Sequence, residues 1–183
     1  MSKTWFTADC HFQHFNIIEY TNRPFKNVEE MDAELIRRWN ERVKADDLIY
    51  IIGDFYFHKS KKGNGGIKSF EYYDSRLNGK KIYVMGNHCK SSNPTQGKIN
   101  ALILEMGGIN IFCCHNPRDS NNVFPLNLCG HVHRLWKSKV DEKFGEKTII
   151  INVGVDVWNF YPVSFEEIMN VYSKVKQSLE LGL

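Results

Sequence analysis

The 183-residue sequence predicts one α/β domain, in which strands and helices alternate over roughly the first 115 residues. Continuous apolar runs such as Leu48–Ile52 and Ile109–Cys114 are typical of strands buried on both faces. Between these runs, apolar residues recur at helical spacing, and such alternation is typical of βα units around a largely buried sheet. The sequence contains no linker, repeat or low-complexity tract, so we expect residues 1–183 to form a single domain.

The first elements are predicted from residue type and spacing. Residues 3–8 alternate loosely and are rich in aromatic and β-branched side chains, which favours a strand. Residues 28–44 have apolar side chains on one helical face, and Asn27 with Glu30 resembles a capping box at the start of that helix. Leu48–Ile52 follows as a strand.

The middle of the chain continues the alternation. Residues 67–77 and roughly 95–106 have helical patterns, and the glycines at 107–108 are typical of a helix end. Residues 82–85 and Ile109–Cys114 are predicted as buried strands.

The last third changes character. Residues 127–129, 135–140 and 148–155 are predicted as strands without long helices between them. Residues 164–167 form a capping-box sequence before a final helix. The apolar stripe of that helix consists of Ile168, Val171, Tyr172, Val175 and Leu179.

Composition excludes several classes of protein. With 42% hydrophobic and 25% charged residues, the chain resembles an ordinary soluble domain, and its net charge of +3 does not by itself indicate nucleic-acid binding. No apolar run approaches the roughly 20 residues that a membrane span needs. The first residues lack the apolar segment of a signal peptide, so we expect a cytoplasmic protein.

The five cysteines show no disulfide framework and no CxxC zinc spacing, which fits a reducing compartment. Cys10, Cys89, Cys114 and Cys129 adjoin the motifs described next. They are interpreted as small hydrophobes that pack the strand ends. The alternative is that one of them lies close enough to the site to make activity sensitive to oxidants.

Short motifs of histidine, aspartate and asparagine follow the apolar runs. In chain order they are Asp9-Cys10-His11, Gly53-Asp54, Gly86-Asn87-His88, His115 and Gly130-His131-Val132-His133. We expect this order to gather the side chains at one edge of a sheet. Within Asp9-Cys10-His11, an extended backbone would turn residues i and i+2 to the same side. Imidazole and carboxylate groups are ligands for Mn, Fe or Zn, and two such ions can catalyse phosphate chemistry.

The ordered series from Asp9 to His133 resembles the signature of the calcineurin-like metallophosphoesterases. Residues 9–16, 23–25 and 152–158 resemble its small single-domain bacterial and phage branch. The resemblance implies two facing mixed β-sheets flanked by helices, with metal ligands on loops at their ends. It also implies a phosphoesterase with two divalent ions, in which a metal-bridging hydroxide attacks phosphorus in line.

The same resemblance implies individual roles. The first metal would be bound by Asp9, His11, Asp54 and His133, and the second by Asp54, Asn87, His115 and His131. Asp54 would bridge, with one oxygen facing each cation. His88 would be the catalytic residue, which stabilises charge and protonates the leaving oxygen. Manganese is the expected metal, with Fe, Zn or Ni as alternatives.

Other residues near the motifs are candidates for substrate binding. His14 and Asn16 would line the site or support a ligand, and the alternative is a polar turn. Arg23 and Arg118 would contact a phosphate, and the alternative for Arg23 is a structural arginine that bonds loop carbonyls. Residues 58–66 are basic and glycine-rich, which suggests either a flap or a solvated surface loop.

Two positions depart from the family pattern. Cys89 follows His88 where an acidic residue is common, which puts the tuning of His88 in doubt. Tyr161 occupies a position where relatives often have arginine before proline, so a phosphate contact is expected to be missing there or supplied from elsewhere. Trp158, Phe160 and Tyr161 are interpreted as packing residues, with a wall of the cleft as the alternative.

The predicted substrate is a small phosphate ester, either a phosphodiester or a nucleotide-like compound. A nuclease of the same superfamily is an alternative, although the mild charge argues against extended nucleic acid. A scaffold without catalysis is a second alternative, and the retained His88 argues against it. A structural zinc site built from Cys113-Cys114-His115 and Cys129-Gly130-His131 would leave the acidic motifs unexplained. The sequence leaves the oligomeric state open.

Overall fold

The computed structural model describes residues 2–57, 68–88, 99–143 and 145–182. The helices are α1 (Phe15–Tyr20), α2 (Val28–Arg42), α3 (Phe70–Asp74) and α4 (Phe165–Glu180). The strands are β1 (Thr4–Thr7), β2 (Leu48–Ile52), β3 (Lys80–Val84), β4 (Ala101–Met106), β5 (Ile109–Cys114), β6 (Leu126–Cys129), β7 (Ser138–Lys143), β8 (Glu146–Asn152) and β9 (Val163–Ser164). The predicted flap at 58–66 and the Cys89 position lie outside the described residues.

The strands form two mixed sheets. The first has the order β3-β2-β1-β9, with β1, β2 and β3 parallel and β9 antiparallel. The second has the order β4-β5-β6-β8-β7, with β5, β6 and β8 parallel and an antiparallel strand at each edge. The predicted pair of mixed sheets flanked by helices is therefore confirmed.

Alternation along β1 divides the core in two. Trp5 belongs to a cluster with α2 residues such as Leu35, on one face of the first sheet. Phe6 belongs to the other cluster, which joins the first sheet to Leu128 of the second sheet and to Ile168 of α4. The first sheet is thus covered on both faces, which explains why its strands have continuous apolar sequences.

The predicted starts of α2 and α4 are confirmed, whereas the helix predicted at 67–77 is observed as the shorter α3 and α2 ends two residues before the predicted end. The side chain of Asn27 accepts a hydrogen bond of 2.8 Å from the backbone N–H of Glu30 at the start of α2. At α4, Ser164 and Glu167 form both bonds of a capping box. All five residues of the predicted apolar stripe of α4 belong to the core between the sheets.

The predicted helix at 95–106 is wrong in its described part. Residues 101–106 form β4, in which Leu102, Leu104 and Met106 alternate with exposed residues and pack against the core between the sheets. Gly107 and Gly108 form the turn to β5, since both have positive φ angles. A period of two was therefore mistaken for a period of 3.6. The sequence analysis also missed the short elements α1 and β9.

The five motifs follow the carboxyl ends of parallel strands in both sheets. Asp9 follows β1, Asp54 follows β2 and Asn87 follows β3 in the first sheet, while His115 follows β5 and His131 follows β6 in the second. An isolated parallel bridge between Ala8 and Gly154 joins the two sheets at this edge. The edge where the strands end is therefore where the motif residues meet. In the described part of the chain, no helix has the length and apolarity required to cross a bilayer.

Candidate metal centre

The backbone of the motif residues is unusual. Positive φ angles occur at Asp9 (56°), His11 (52°), Asp54 (47°), His131 (70°) and His133 (47°). Non-glycine residues seldom adopt this left-handed region, and such strain concentrates at functional sites. The expectation that Asp9 and His11 lie on an extended segment is therefore wrong, because β1 ends at Thr7 and the chain turns at each ligand position.

The first set of side chains, here called the inner group, consists of Asp9, His11 and His133. One ligand atom from each lies within 4.8 Å of the others. Asp9 Oδ1 and His11 Nε2 are buried and have no hydrogen-bond partner among the described residues, although unpaired buried polar atoms are costly and rare. A cation between these three side chains would satisfy both atoms, so the residues present fit a metal ion.

His133 is oriented by a buried ion pair. Its Nδ1 lies 2.9 Å from Asp156 Oδ2, and Asp156 in turn pairs with Arg23 at 2.9 Å. The side chains of Asp156 and Arg23 are fully buried. A carboxylate behind a histidine fixes its tautomer and raises its basicity, so Nε2 of His133 is left for a cation.

Arg23 is thereby excluded from the substrate-binding role that the sequence suggested. Its Nε and Nη2 bond both oxygens of Asp156, its Nη2 and Nη1 donate to the carbonyls of Asp9 and Cys10, and its Nη1 also contacts Met31 Sδ. All five N–H donors of the guanidinium have partners. The alternative role of a structural arginine is the one that the structure supports.

His11 is supported by His14. Their Nδ1 atoms lie 3.2 Å apart, and the ring of His14 is stacked on Phe57 at 4.0 Å between centroids. If Nε2 of His11 binds a cation, the proton of the His11 imidazole is on its Nδ1, which then donates it in a hydrogen bond to Nδ1 of His14. The predicted alternatives for His14 included such a supporting contact.

The loop between these histidines is held from α2. Both oxygens of Asp32 accept from the backbone N–H of Gln13, at 3.1 and 3.2 Å, and Oδ2 also accepts from the hydroxyl of Tyr73 at 2.6 Å. Gln13 itself has a positive φ of 64°. The acidic side chain thus fixes a strained residue between two histidines of the site.

The second set, here called the outer group, consists of Asn87, His115 and His131. Asn87 Oδ1 lies 3.0 Å from His115 Nε2 and 2.9 Å from His131 Nδ1. Nδ1 of His115 lies 2.8 Å from the carbonyl of Ile52, which directs Nε2 of His115 toward Asn87. These three atoms are of the types that bind Mn, Fe, Ni or Zn.

Asp54 lies between the two groups. Its Oδ2 is 3.7 Å from His11 Nε2 and 3.2 Å from His115 Nε2, while its Oδ1 accepts from the backbone N–H of His88 at 2.9 Å. The expected arrangement, with one carboxylate oxygen toward each cation, differs from this geometry, in which Oδ2 faces both histidines. Asp9 also reaches His115, with Oδ1 4.0 Å from Nε2.

His88 is exposed at the open side of the cluster. Its ring lies 5.3 Å from that of His11 and 5.7 Å from that of His14, between centroids. Gly86 permits this turn, because a Cβ at that position would lie 2.1 Å from Asp54 Oδ1 and 2.4 Å from its backbone nitrogen. A glycine is therefore required where the two loops approach.

Burial and charge shift the pKa values of the cluster in opposite directions. Burial raises the pKa of Asp9 to about 6 and lowers the pKa of His11 well below its usual value. Burial also disfavours the charged form of His115, but the hydrogen bond and charge of Asp54 and the charge of Asp9 outweigh it and raise the pKa to about 9. A cation at His115 Nε2 would take the place of that proton.

The cysteines next to the motifs pack in the core. Cys10, Cys113, Cys114 and Cys129 are free and buried, and burial raises the pKa of the Cys10 and Cys114 thiols to about 12. The possible metal-ligand groups among the described residues contain only histidine and aspartate. Both findings agree with the packing interpretation and give no support to a structural zinc site.

The remaining candidates lie in different places. Arg118 is exposed and shares a cleft with His131 and His133. Asn16 is exposed on α1, where its amide donates to the hydroxyl of Tyr20 at 3.4 Å. Tyr161 contacts α2, with its hydroxyl 3.3 Å from Glu41 Oε2, so this departure from the family lies at a helix contact.

The aromatic residues near Tyr161 are packing residues. Trp158 donates from Nε1 to the carbonyl of Asn152 at 2.7 Å, and Phe160 is buried against Phe25.

Sequence reasoning missed two residues of this site. Asp156 was noted only as part of a family-like stretch, and its partnership with His133 and Arg23 depends on contacts more than 20 residues apart. Arg134 follows the last motif directly and lines the cleft beside His131 and His133. Its position in the sequence, one residue after a predicted ligand, was the available signal.

The two mixed sheets and the ordered motifs at their edge agree with the fold that the resemblance to the calcineurin-like metallophosphoesterases implied. No family model matches the chain.

An uncharacterized protein of Methanocaldococcus jannaschii, MJ1445, is 35% identical over 181 residues, which cover 96% of this chain and 94% of that protein. The chain therefore belongs to the same family as MJ1445. A protein of unknown function from Aquifex aeolicus, AQ665, aligns with 25% identity and a TM-score of 0.68, covering 93% of this chain and all of that one. The Gene 66 protein of Mycobacterium phage L5 is 38% identical over 88 residues, or 48% of this chain and 40% of that protein.

Proposed function

We propose that this protein is a phosphoesterase that uses two divalent metal ions to hydrolyse a small phosphodiester or nucleotide-like ester. The observation that carries the proposal is the pair of buried ligand atoms without partners, Asp9 Oδ1 and His11 Nε2, inside a cluster of imidazole and carboxylate side chains. A protein without a cation there would leave two polar atoms desolvated for no gain. The resemblance of the ordered motifs to the calcineurin-like metallophosphoesterases makes phosphate-ester hydrolysis the corresponding chemistry.

In this proposal the inner group would hold one ion, the outer group would hold the other, and Asp54 would contribute to both sites. When bound, two such ions lower the pKa of water and neutralise charge on phosphoryl oxygens. The nitrogen and oxygen donors suit manganese, with Fe, Ni or Zn as alternatives.

We assign proton transfer to the leaving oxygen to His88. Its side chain is exposed, while the backbone N–H of the same residue is fixed by Asp54 Oδ1 at 2.9 Å. The residue is therefore held in place by the cluster while its ring remains accessible to substrate. Histidine is suited to proton transfer near neutral pH.

The test uses metal-stripped protein with Mn, Ni, Zn or Mg added back, and bis(p-nitrophenyl) phosphate and p-nitrophenyl phosphate as substrates. We expect metal-restored turnover, with preference for the diester. His88→Ala should retain two ions per chain by elemental analysis but lose roughly 10²–10⁴-fold in kcat, the usual contribution of a positioned acid or base.

Asp54→Asn should lose both metal content and turnover. Absence of turnover with any metal, despite two bound ions, would overturn the enzyme proposal and favour the scaffold alternative. Unchanged hydrolysis by His88→Ala would refute the role assigned to that residue.

A further inference from the structure

Two clefts flank the inner and outer groups of side chains, and the two clefts differ in charge. The first, here called the arginine cleft, adjoins His131 and His133 and is also lined by Arg118 and Arg134. The second adjoins Asn87 and His115 and is lined by Asn100, Asn116 and Asp119, with no lysine or arginine among its described lining. An anionic substrate that reaches the cluster is therefore attracted to the first cleft.

The size of the arginine cleft suits a small molecule. Its volume is about 610 Å³. Small-molecule sites range over roughly 300–1,000 Å³, so the cleft has room for a nucleotide.

Arg134 is held across the cleft but keeps donors available. Its Nη1 donates to the carbonyls of Thr21 and Asn22, at 3.2 and 2.8 Å, which fixes the guanidinium beside the loop after α1. Over the parts of the chain that the structure describes, neither Arg134 nor Arg118 forms an ion pair with a carboxylate. Guanidinium groups without a carboxylate partner are suited to phosphate.

Two exposed apolar side chains, which are not packed in the hydrophobic core, also line the cleft. Tyr20 is 72% exposed and Leu135 is 81% exposed, and both line the cleft. The Tyr20 ring makes an edge contact with His14 at 6.4 Å, and its hydroxyl accepts from Asn16. An exposed aromatic face of this kind is a surface on which a nucleobase stacks.

We propose that the arginine cleft binds the nucleoside of a nucleotide substrate and, through Arg118 and Arg134, a second phosphate on that nucleoside. The proposal rests on the proposed function, because it places the reacting phosphate at the metal cluster. It narrows the substrate class to nucleotide diesters that carry a further phosphate group. Tyr20 and Leu135 form the apolar contact, and the two arginines select for charge.

The test compares two chromogenic substrates that differ only in one phosphate: the p-nitrophenyl ester of thymidine 5′-phosphate, with and without a 3′-phosphate. We expect the 3′-phosphate to raise kcat/KM about tenfold or more, the order expected for a partly exposed charge-assisted contact. Arg134→Ala and Arg118→Ala should each reduce that ratio toward one. Arg37→Ala, which removes an exposed arginine of α2, should leave the ratio unchanged.

A second measurement separates failure of this proposal from failure of the proposed function. Thymidine 3′,5′-bisphosphate is titrated calorimetrically into manganese-loaded protein, which requires no turnover. Binding that is weakened about tenfold in Arg134→Ala but not in Arg37→Ala supports the cleft even if no ester is hydrolysed. The proposal is overturned if the wild-type ratio of kcat/KM with and without the 3′-phosphate is near one. It is also overturned if that ratio and the affinity for the bisphosphate are unchanged in both Arg118→Ala and Arg134→Ala.

Discussion

The inner and outer groups of ligands are built by different means. In the inner group, Asp9 and His11 are 0% and 1% exposed, His133 is partly exposed, and the buried side chains of His14 and Asp156 contact the two histidines. In the outer group, His115 is buried, but Asn87 is exposed and His131 is partly exposed, and the side chains contact one another and a backbone carbonyl. The inner group is therefore preorganised by the protein interior, whereas the outer group depends on loop ends and on the ion itself.

This difference has a functional consequence. A preorganised site binds its ion without ordering its ligands, and buried supporting residues typically contribute 10–100-fold in metal affinity. We therefore expect the inner ion to be held more tightly, while the outer ion exchanges on the side where substrate enters. Each of the following changes tests one part of that contrast.

The largest effect is expected from Asp156→Ala. The substitution leaves the Arg23 guanidinium buried without its carboxylate and removes the contact to His133 Nδ1. Breaking a buried ion pair costs about 3–5 kcal/mol, so we expect the free energy of unfolding to fall by that amount. The measurement is urea unfolding of chelator-treated protein. Glu41→Ala, which breaks an exposed pair with Arg37, should cost less than about 1 kcal/mol. Equal losses in the two variants would show that the buried pair does not support the inner group.

The next effect is a pH dependence that arises from Asp32. Burial raises its pKa to about 7, although the Tyr73 hydroxyl and the Gln13 N–H act in the other direction. The folded state thus retains a proton that the unfolded state loses, so this carboxyl group lowers stability as pH rises from about 4 to about 7. Asp32→Asn removes the titration and keeps a side chain that can accept from Gln13.

The measurement for Asp32 is the unfolding free energy of the variant relative to wild type at pH 4.5 and pH 7.5. The unfolding free energy of Asp32→Asn minus that of wild type should be about 2–4 kcal/mol larger at pH 7.5 than at pH 4.5. This estimate follows from about 1.4 kcal/mol for each unit by which the pKa is raised. A difference that does not change with pH would show that Asp32 titrates normally, and that the loop at Gln13 is not held by a protonated acid.

A substitution at Gly86 tests how the groups share Asp54. The new Cβ of Gly86→Ala would lie 2.1 Å from Asp54 Oδ1, so Asp54 must move. We expect a loss of about 1–3 kcal/mol in stability and weaker binding of both ions, because Asp54 Oδ2 faces both groups. Gly108→Ala is the control for a glycine substitution without a clash, since a Cβ there meets no atom within 4 Å; unlike Gly86, Gly108 has a positive φ. It should cost about 1 kcal/mol from backbone strain and leave metal binding unchanged.

The sequence predicted which residues meet but not how they are held. The seven candidate ligands were recognisable because they follow apolar strands in an order that resembles the family signature, and parallel strands bring such residues to one edge. The left-handed backbone at Asp9 and His11 could not be predicted, because non-glycine residues adopt it only when surrounding contacts compensate. Arg23 was equally hidden, since its partner Asp156 is 133 residues away.

Local patterns also failed where two periods overlap. Leu102, Leu104 and Met106 alternate as in a strand, but the glycines after them resemble a helix end as well as a hairpin turn. Only the pairing of β4 with β5 decides between these interpretations. Sequence therefore predicts which side chains gather at this site better than it predicts the edge strands of the sheets.

The smallest effect, and the most selective, is expected from His14→Phe. The phenyl ring can retain the stack on Phe57, but it removes the nitrogen that lies 3.2 Å from His11 Nδ1. His11 then loses the partner that fixes its proton on Nδ1, so we expect the inner ion to bind about 10–100-fold more weakly. The outer ion should change less than about threefold in the same calorimetric manganese titration, since in the described structure His14 makes no hydrogen bond or ring contact with Asn87, His115 or His131. Glu19→Ala, on the exposed face of α1, controls for changes in this helix. An equal loss at both ions would contradict the separate construction of the two groups.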